Sequence, residues 1–139
     1  MNNDITLDDF KQLLLFAQNS HWSKNEPIPA LNMSETGKLE SCLKMPFQEI
    51  FGTKLYPDFI DKASILFYLL IKNHPLQNGN KRMACLSLAY FCEINDKELT
   101  INPTDFYELA LNTAKSSDKD SCIEVINKTL NVTVTDRLK

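Results

Sequence analysis

The chain has 139 residues, only three of them glycine, where average usage of about 7% would give roughly ten; this points away from turn-rich all-β folds and Gly-rich linkers. With 43% apolar and 24% charged residues, it is long enough to fold as one domain, residues 1–139, around a sizeable core, and disordered or collagen-like classes are excluded. Fifteen basic against eighteen acidic residues leave a net charge of −3, so no overall cationic field draws the chain to nucleic acid or an anionic membrane, although a local anion site is compatible with it.

From the N-terminus, Thr6 stands before Leu7-Asp8-Asp9-Phe10 as an N-cap with acids in the first turn, and Phe10, Leu13, Leu14 and Ala17 repeat at helical spacing. A helix is expected to about Gln18. Residues 19–33, with Pro27 and Pro29, have no sustained period and read as an extended connection. Ser34 then caps a short second helix with Leu39, Cys42 and Leu43 on one face; Gly37 in its first turns costs about 1 kcal/mol relative to alanine. Residues 47–57, with Gly52 and Thr53, suit a short hairpin or an irregular loop.

Residues 58–73 are the most apolar part of the chain, and their apolar side chains spread round nearly the whole helical circumference, which marks a central buried helix that must stop before Pro75. The run from Ala63 to Ile71 is about half of what a membrane-spanning helix needs. A second buried helix is expected over 80–93. Asn95-Asp96 is a turn signal, and Asn102-Pro103-Thr104-Asp105 starts a further helix carrying Phe106, Leu109, Ala110 and Thr113. A last helix, about 119–130, is expected to place Cys122, Ile123, Val125, Ile126 and Leu130 inward and to be followed by a fraying tail. The fold class expected is all-α. Cys42, Cys85, Cys92 and Cys122 form no C-x-x-C pair and are expected to be buried reduced thiols. No secretory leader is seen after Met1, so a cytoplasmic location is expected.

The segment between the two central helices, His74-Pro75-Leu76-Gln77-Asn78-Gly79-Asn80-Lys81-Arg82, carries the chemistry. The first N–H groups of the second helix favour an anion, Gly79 can take φ > 0 and shape a concave nest of such groups, and Asn80, Lys81 and Arg82 surround it with further donors. Taken singly each part has an ordinary meaning: a helix-end histidine, an Asn-Gly turn, a solvated Lys-Arg pair. Together they describe a polyphosphate cradle with an imidazole at its edge. It is not a Walker loop, since no G-x-x-x-x-G-K-[ST] spacing occurs.

This string closely resembles the signature of the Fic/Doc family, H-[PIF]-F-x-[DE]-[AG]-N-[GK]-R, and within it the Doc (death-on-curing) branch, which has lysine at the position of Lys81. Gly37-Lys38-Leu39-Glu40-Ser41 resembles the family's G-x-L-E-S helix and Phe51-Gly52-Thr53-Lys54-Leu55-Tyr56-Pro57 its flap segment. The resemblance spans roughly residues 30–130. It implies a compact helical bundle whose two buried central helices flank the phosphate loop, with ATP as co-substrate and transfer of part of it to a protein hydroxyl.

In the Doc branch the γ-phosphoryl moves, the target is the translation factor elongation factor Tu, and an antitoxin partner neutralises the protein; in the Fic branch the transfer is of AMP. On that resemblance His74 is the general base, Gly79 and Asn80 hold the transferred phosphate, Lys81 and Arg82 stabilise its charge, and Gly52, Thr53, Lys54 and Leu55 clamp the target peptide by strand addition. Asn78 stands where the family has the acid that binds Mg²⁺, and an amide oxygen is a weaker ligand for that ion. A catalytically silent binding module is therefore the reading from another class. Leu76 replaces the usual phenylalanine, and no inhibitory [ST]-x-x-x-E-[GN] helix is present: Thr36 to Ser41 comes nearest and ends in the wrong residue.

Overall fold

The computed structural model describes residues 2–19, 27–29, 31 and 36–137. Among them the chain forms α1 (Leu7–Gln18), α2 (Gly37–Lys44), a 3₁₀ turn (Met45–Phe47), β1 (Glu49–Ile50), β2 (Thr53–Lys54), α3 (Phe59–Lys72), α4 (Asn80–Ile94), β3 (Lys97–Leu99), α5 (Pro103–Lys115), α6 (Lys119–Thr133) and β4 (Val134–Asp136). Six helices with two small antiparallel ribbons, β1–β2 and β3–β4, make up the helical fold expected.

Local chemistry sets the helix ends. At α1 the Thr6 hydroxyl accepts from the Asp9 N–H at 3.1 Å while the Asp9 carboxylate accepts from the Thr6 N–H at 3.0 Å, a reciprocal capping box. Asn102 does the same work for α5, its Oδ1 accepting from the Asp105 N–H at 2.8 Å with Pro103 at the first helical position. The Ser34 cap expected for α2 lies outside the described residues. The residue preceding that helix, Thr36, makes no side-chain cap bond.

Helix α3 is the centre of the molecule, packed on α2, α4, α5 and α6. Every residue from Lys62 to Ile71 is buried, which is what its all-round apolar circumference requires. Its neighbours are tied on by specific bonds as well as by packing. The Cys42 thiol of α2 donates to the Leu69 carbonyl at 3.6 Å. Lys72, in the last turn of α3, donates to the carbonyls of Ala114 (3.3 Å) and Ser116 (2.6 Å), so a cation completes the otherwise open C-terminus of α5. Asn127 of α6 donates to Asp61 at 3.1 Å. Phe67 of α3 stacks on Phe106 of α5 with centroids 5.8 Å apart.

Three expectations are corrected. Val125 is exposed rather than inward, since the buried face of α6 is Cys122, Ile126 and Leu130, at i, i+4 and i+8. The chain after Leu130 does not fray: α6 continues to Thr133, and β4 pairs with β3 in the register Lys97↔Asp136, Glu98↔Thr135, Leu99↔Val134. Lys97 bonds Asp136 at 2.5 Å, and Arg137 bonds Glu93. Cys85 is half-buried rather than buried, and all four cysteines are free thiols.

The segment 47–57 is a hairpin with Glu49↔Lys54 and Ile50↔Thr53 opposed. Its two turn residues, Phe51 (φ 51°) and Gly52 (φ 79°), are both left-handed, as a tight two-residue hairpin turn demands.

Candidate active site

The loop between α3 and α4 is held in shape by the residues on either side of it. His74 follows the last turn of α3 with φ 46°, a left-handed conformation that reverses the chain at the helix end and leaves the imidazole exposed. Leu76 is buried in the core, so a leucine in the usual phenylalanine position still anchors the loop. Asn80 locks that anchor. Its Oδ1 accepts from the Leu76 N–H at 2.9 Å, its Nδ2 donates to the Leu76 carbonyl at 3.0 Å, and Nδ2 also lies 3.5 Å from His74 Nδ1. The side chain of Asn80 is therefore committed to the loop itself, and what it offers a ligand is its backbone N–H.

Gly79 is the N-cap of α4 with φ 83°, the positive value expected. Here a second reason for glycine appears. A Cβ at this position would meet the side chain of Ile28 at 2.9, 3.2 and 3.3 Å, so the connection before α2 packs directly onto the loop. Ile28 is itself buried and held by Gln18, whose Nε2 donates to its carbonyl at 3.1 Å. The first helical bond of α4 runs from the Met83 N–H to the Gly79 carbonyl at 2.9 Å. The amides of Asn80 and Lys81 thus precede the helical ladder at the positive end of the dipole. One amide of the expected nest is already used: the Gly79 N–H donates to Asn78 Oδ1 at 2.8 Å.

Above this loop opens a cleft of about 770 Å³ between α4 and α5. His74, Asn78, Gly79, Asn80, Lys81 and Arg82 all line its polar end, so the structure brings together every loop residue singled out in the sequence. The other end is apolar, formed by Cys85, Leu86 and Ala89 of α4 and by Pro103, Phe106, Tyr107, Ala110 and Ala114 of α5. Burial pushes the Cys85 thiol up to about 12, so at neutral pH this wall is uncharged.

Reading the sequence missed the α5 wall. The signal for it was the pair Ala110 and Ala114, whose small side chains at i, i+4 leave room along one face beside Phe106. Gly52, Thr53, Lys54 and Leu55 do not line the cleft. They belong to the hairpin, whose tip residue Phe51 is fully exposed with Ile50 and Leu55 beside it.

The hairpin's base is fastened to α3 by Lys62, 4% exposed, which donates to the Tyr56 carbonyl at 2.5 Å and the Pro57 carbonyl at 3.0 Å and lies 5.8 Å from the centroid of the Phe47 ring. Desolvation lowers the pKa of that ammonium, and the nearby Lys54 charge lowers it further.

Gly37 receives no steric explanation. It is exposed at the first position of α2, and a Cβ there would meet nothing within 4 Å among the described residues. Among the described residues no group of three or more His, Cys, Asp or Glu side chains is arranged to hold a metal ion, and no helix is long and apolar enough to cross a membrane.

The left-handed glycine at a helix start, the histidine at the preceding helix end and the order of the flanking segments define a protein class. Residues 3–92 match the model of the Fic/DOC family, and the chain belongs to that family. Within it the similarity is to the Doc branch: over 91 residues, 65% of this chain and 70% of the relative, it is 32% identical to Toxin Doc of Mycolicibacterium smegmatis. The family match ends within α4, so the α5 wall of the cleft lies beyond it.

Proposed function

We propose that the protein is a Doc-type toxin that transfers the γ-phosphoryl group of ATP to a hydroxyl of a protein target and is neutralised by an antitoxin. The observation that carries this is the juxtaposition, in one cleft, of the left-handed Gly79 at the start of α4, the cations Lys81 and Arg82, and the exposed imidazole of His74. Such a site supplies what phosphoryl transfer needs, which is mostly positioning and neutralisation of charge. The helix end, Lys81 and Arg82 would take the phosphates, and the apolar wall between α4 and α5 suits a base and sugar.

In the transfer, the target oxygen bonds to the γ-phosphorus, the bond from that phosphorus to the β,γ-bridging oxygen breaks, ADP leaves, and His74 accepts the hydroxyl proton. A translation factor of the elongation factor Tu type is the target the family resemblance implies, with the β1–β2 hairpin receiving its peptide as an added strand. Support for the toxin reading comes from the relative named Toxin Doc.

The test is incubation with γ-labelled and, separately, α-labelled ATP in a cell extract. A band labelled only from the γ position is the expected result, abolished by His74→Ala with the fold intact. Label from the α position would overturn the reading in favour of AMP transfer. One feature favours a silent binding module instead, the amide of Asn78 in the place of an acid; absence of label from either position would decide for it.

A further inference from the structure

From the donor set of the cleft we infer that this protein binds its nucleotide without a protein-held divalent cation, and that it prefers free ATP, or binds it equally well, over the magnesium complex. The inference rests on the nucleotide reading above. Among the described residues no aspartate or glutamate lines the cleft, whereas Lys81, Arg82 and His74 do. Magnesium demands a near-octahedral set of oxygens and is ordinarily held by one or two carboxylates together with substrate phosphates.

The one side chain in the place of such a ligand is Asn78, and its oxygen is already the acceptor of the Gly79 N–H at 2.8 Å. That bond fixes which end of the amide is which. The oxygen keeps only one lone pair, and the other polar atom is Nδ2, a donor, which attracts a phosphate oxygen and repels a cation. An aspartate in the same pose would keep a second oxygen for a metal; asparagine turns the position into one more hydrogen-bond donor to the anion. The charge that a metal would supply comes instead from Lys81, Arg82 and the positive end of α4. Since free ATP is more negative than its magnesium complex, a cleft whose described lining holds cations and no carboxylate attracts the free form at least as strongly.

Calorimetric titration of the intact chain with ATP, once in EDTA and once in excess Mg²⁺, tests this. The expected Kd in EDTA is equal to that in Mg²⁺ or lower by up to about tenfold, close to 1.4 kcal/mol, and Mg²⁺ alone gives no heat. Asn78→Asp is expected to reverse the order, weakening ATP in EDTA and making Mg²⁺ tighten it. Binding in both buffers with at least about tenfold tightening by Mg²⁺ in the unaltered chain would overturn the inference and leave the nucleotide reading standing. No ATP binding in either buffer would overturn both.

Discussion

Replacing Gly79 by alanine probes the junction of the loop with the segment before α2. The perturbation has two separable parts. At φ 83° an L-residue sits in the left-handed region, which costs roughly 1–2 kcal/mol. The new Cβ would also lie 2.9 to 3.3 Å from three carbons of the buried Ile28, and overpacking of this kind costs about 1–3 kcal/mol. The smaller entropy of the unfolded alanine chain returns about 0.4–1 kcal/mol, so the net loss is about 1–4.5 kcal/mol.

Ile28→Ala alone removes the opposing carbons and leaves a cavity, at about 2–5 kcal/mol. In the double variant the collision has gone while the backbone strain stays, so the two losses should fall short of their sum by about 1–3 kcal/mol. Urea denaturation of all four proteins measures this cycle. Additivity within about 0.5 kcal/mol would mean that Ile28 does not pack on the loop, and the account of why glycine stands at 79 would fail.

Four further outcomes follow from other parts of the structure. Lys62→Met should leave global stability within about 1 kcal/mol, because a buried charge is exchanged for an apolar side chain of similar size, while trypsin cleavage after Lys54 becomes faster as the hairpin loses its tie to α3; an unchanged cleavage rate would refute the tie. Cys85, raised from its ordinary value near 9.0 to about 12 by burial, should react with iodoacetamide at pH 8 about a thousandfold more slowly than an exposed thiol, in proportion to its thiolate fraction. Because the unfolded chain loses that proton near pH 9 while the fold keeps it, stability should fall as pH rises from 9 toward 12, most simply seen by comparing unfolding midpoints with those of Cys85→Ser. Gly37→Ala, with open space around the new methyl, should be neutral or stabilising by up to about 1 kcal/mol; a loss of more than about 1 kcal/mol would show a close approach to Gly37.

Much of the fold was legible because its signals are local. The capping box at Thr6, Asn102 with Pro103, the apolar circumference of residues 59–72 and the stop at Pro75 each act within a few residues, and each appears in the structure as a helix boundary or a buried helix. The β3–β4 ribbon was not legible. Lys97–Leu99 and Val134–Asp136 are three residues each and separated by two helices, so neither offers a period, and their pairing exists only once α5 and α6 have folded back across α3. The exposure of Val125 has a local cause: α6 buries a single stripe at Cys122, Ile126 and Leu130, and Val125 lies about 100° of helical turn before Ile126, outside that stripe.

At the site, the nine residues His74 to Arg82 could be found in the sequence because helix ends and glycine have fixed chemistry. What holds them in place could not. Leu76 is fixed by burial, but its backbone is then clamped by the amide of Asn80, and Gly79 is pressed by Ile28 from a segment fifty residues earlier that has no motif of its own. The presentation of His74 thus depends on two contacts that use both the loop's own polar groups and an apolar side chain outside it. The consequence is a division of labour within the motif. Asn80 spends its side chain on the loop while its N–H precedes the helical ladder, Asn78 uses its oxygen on Gly79 and keeps its NH₂ donor, and Lys81 and Arg82 are the cationic side chains of the cleft's polar end. On the proposed reading, a loop organised in this way would meet an anion with two cations and several donors, and the donor end of asparagine at 78 is consistent with that.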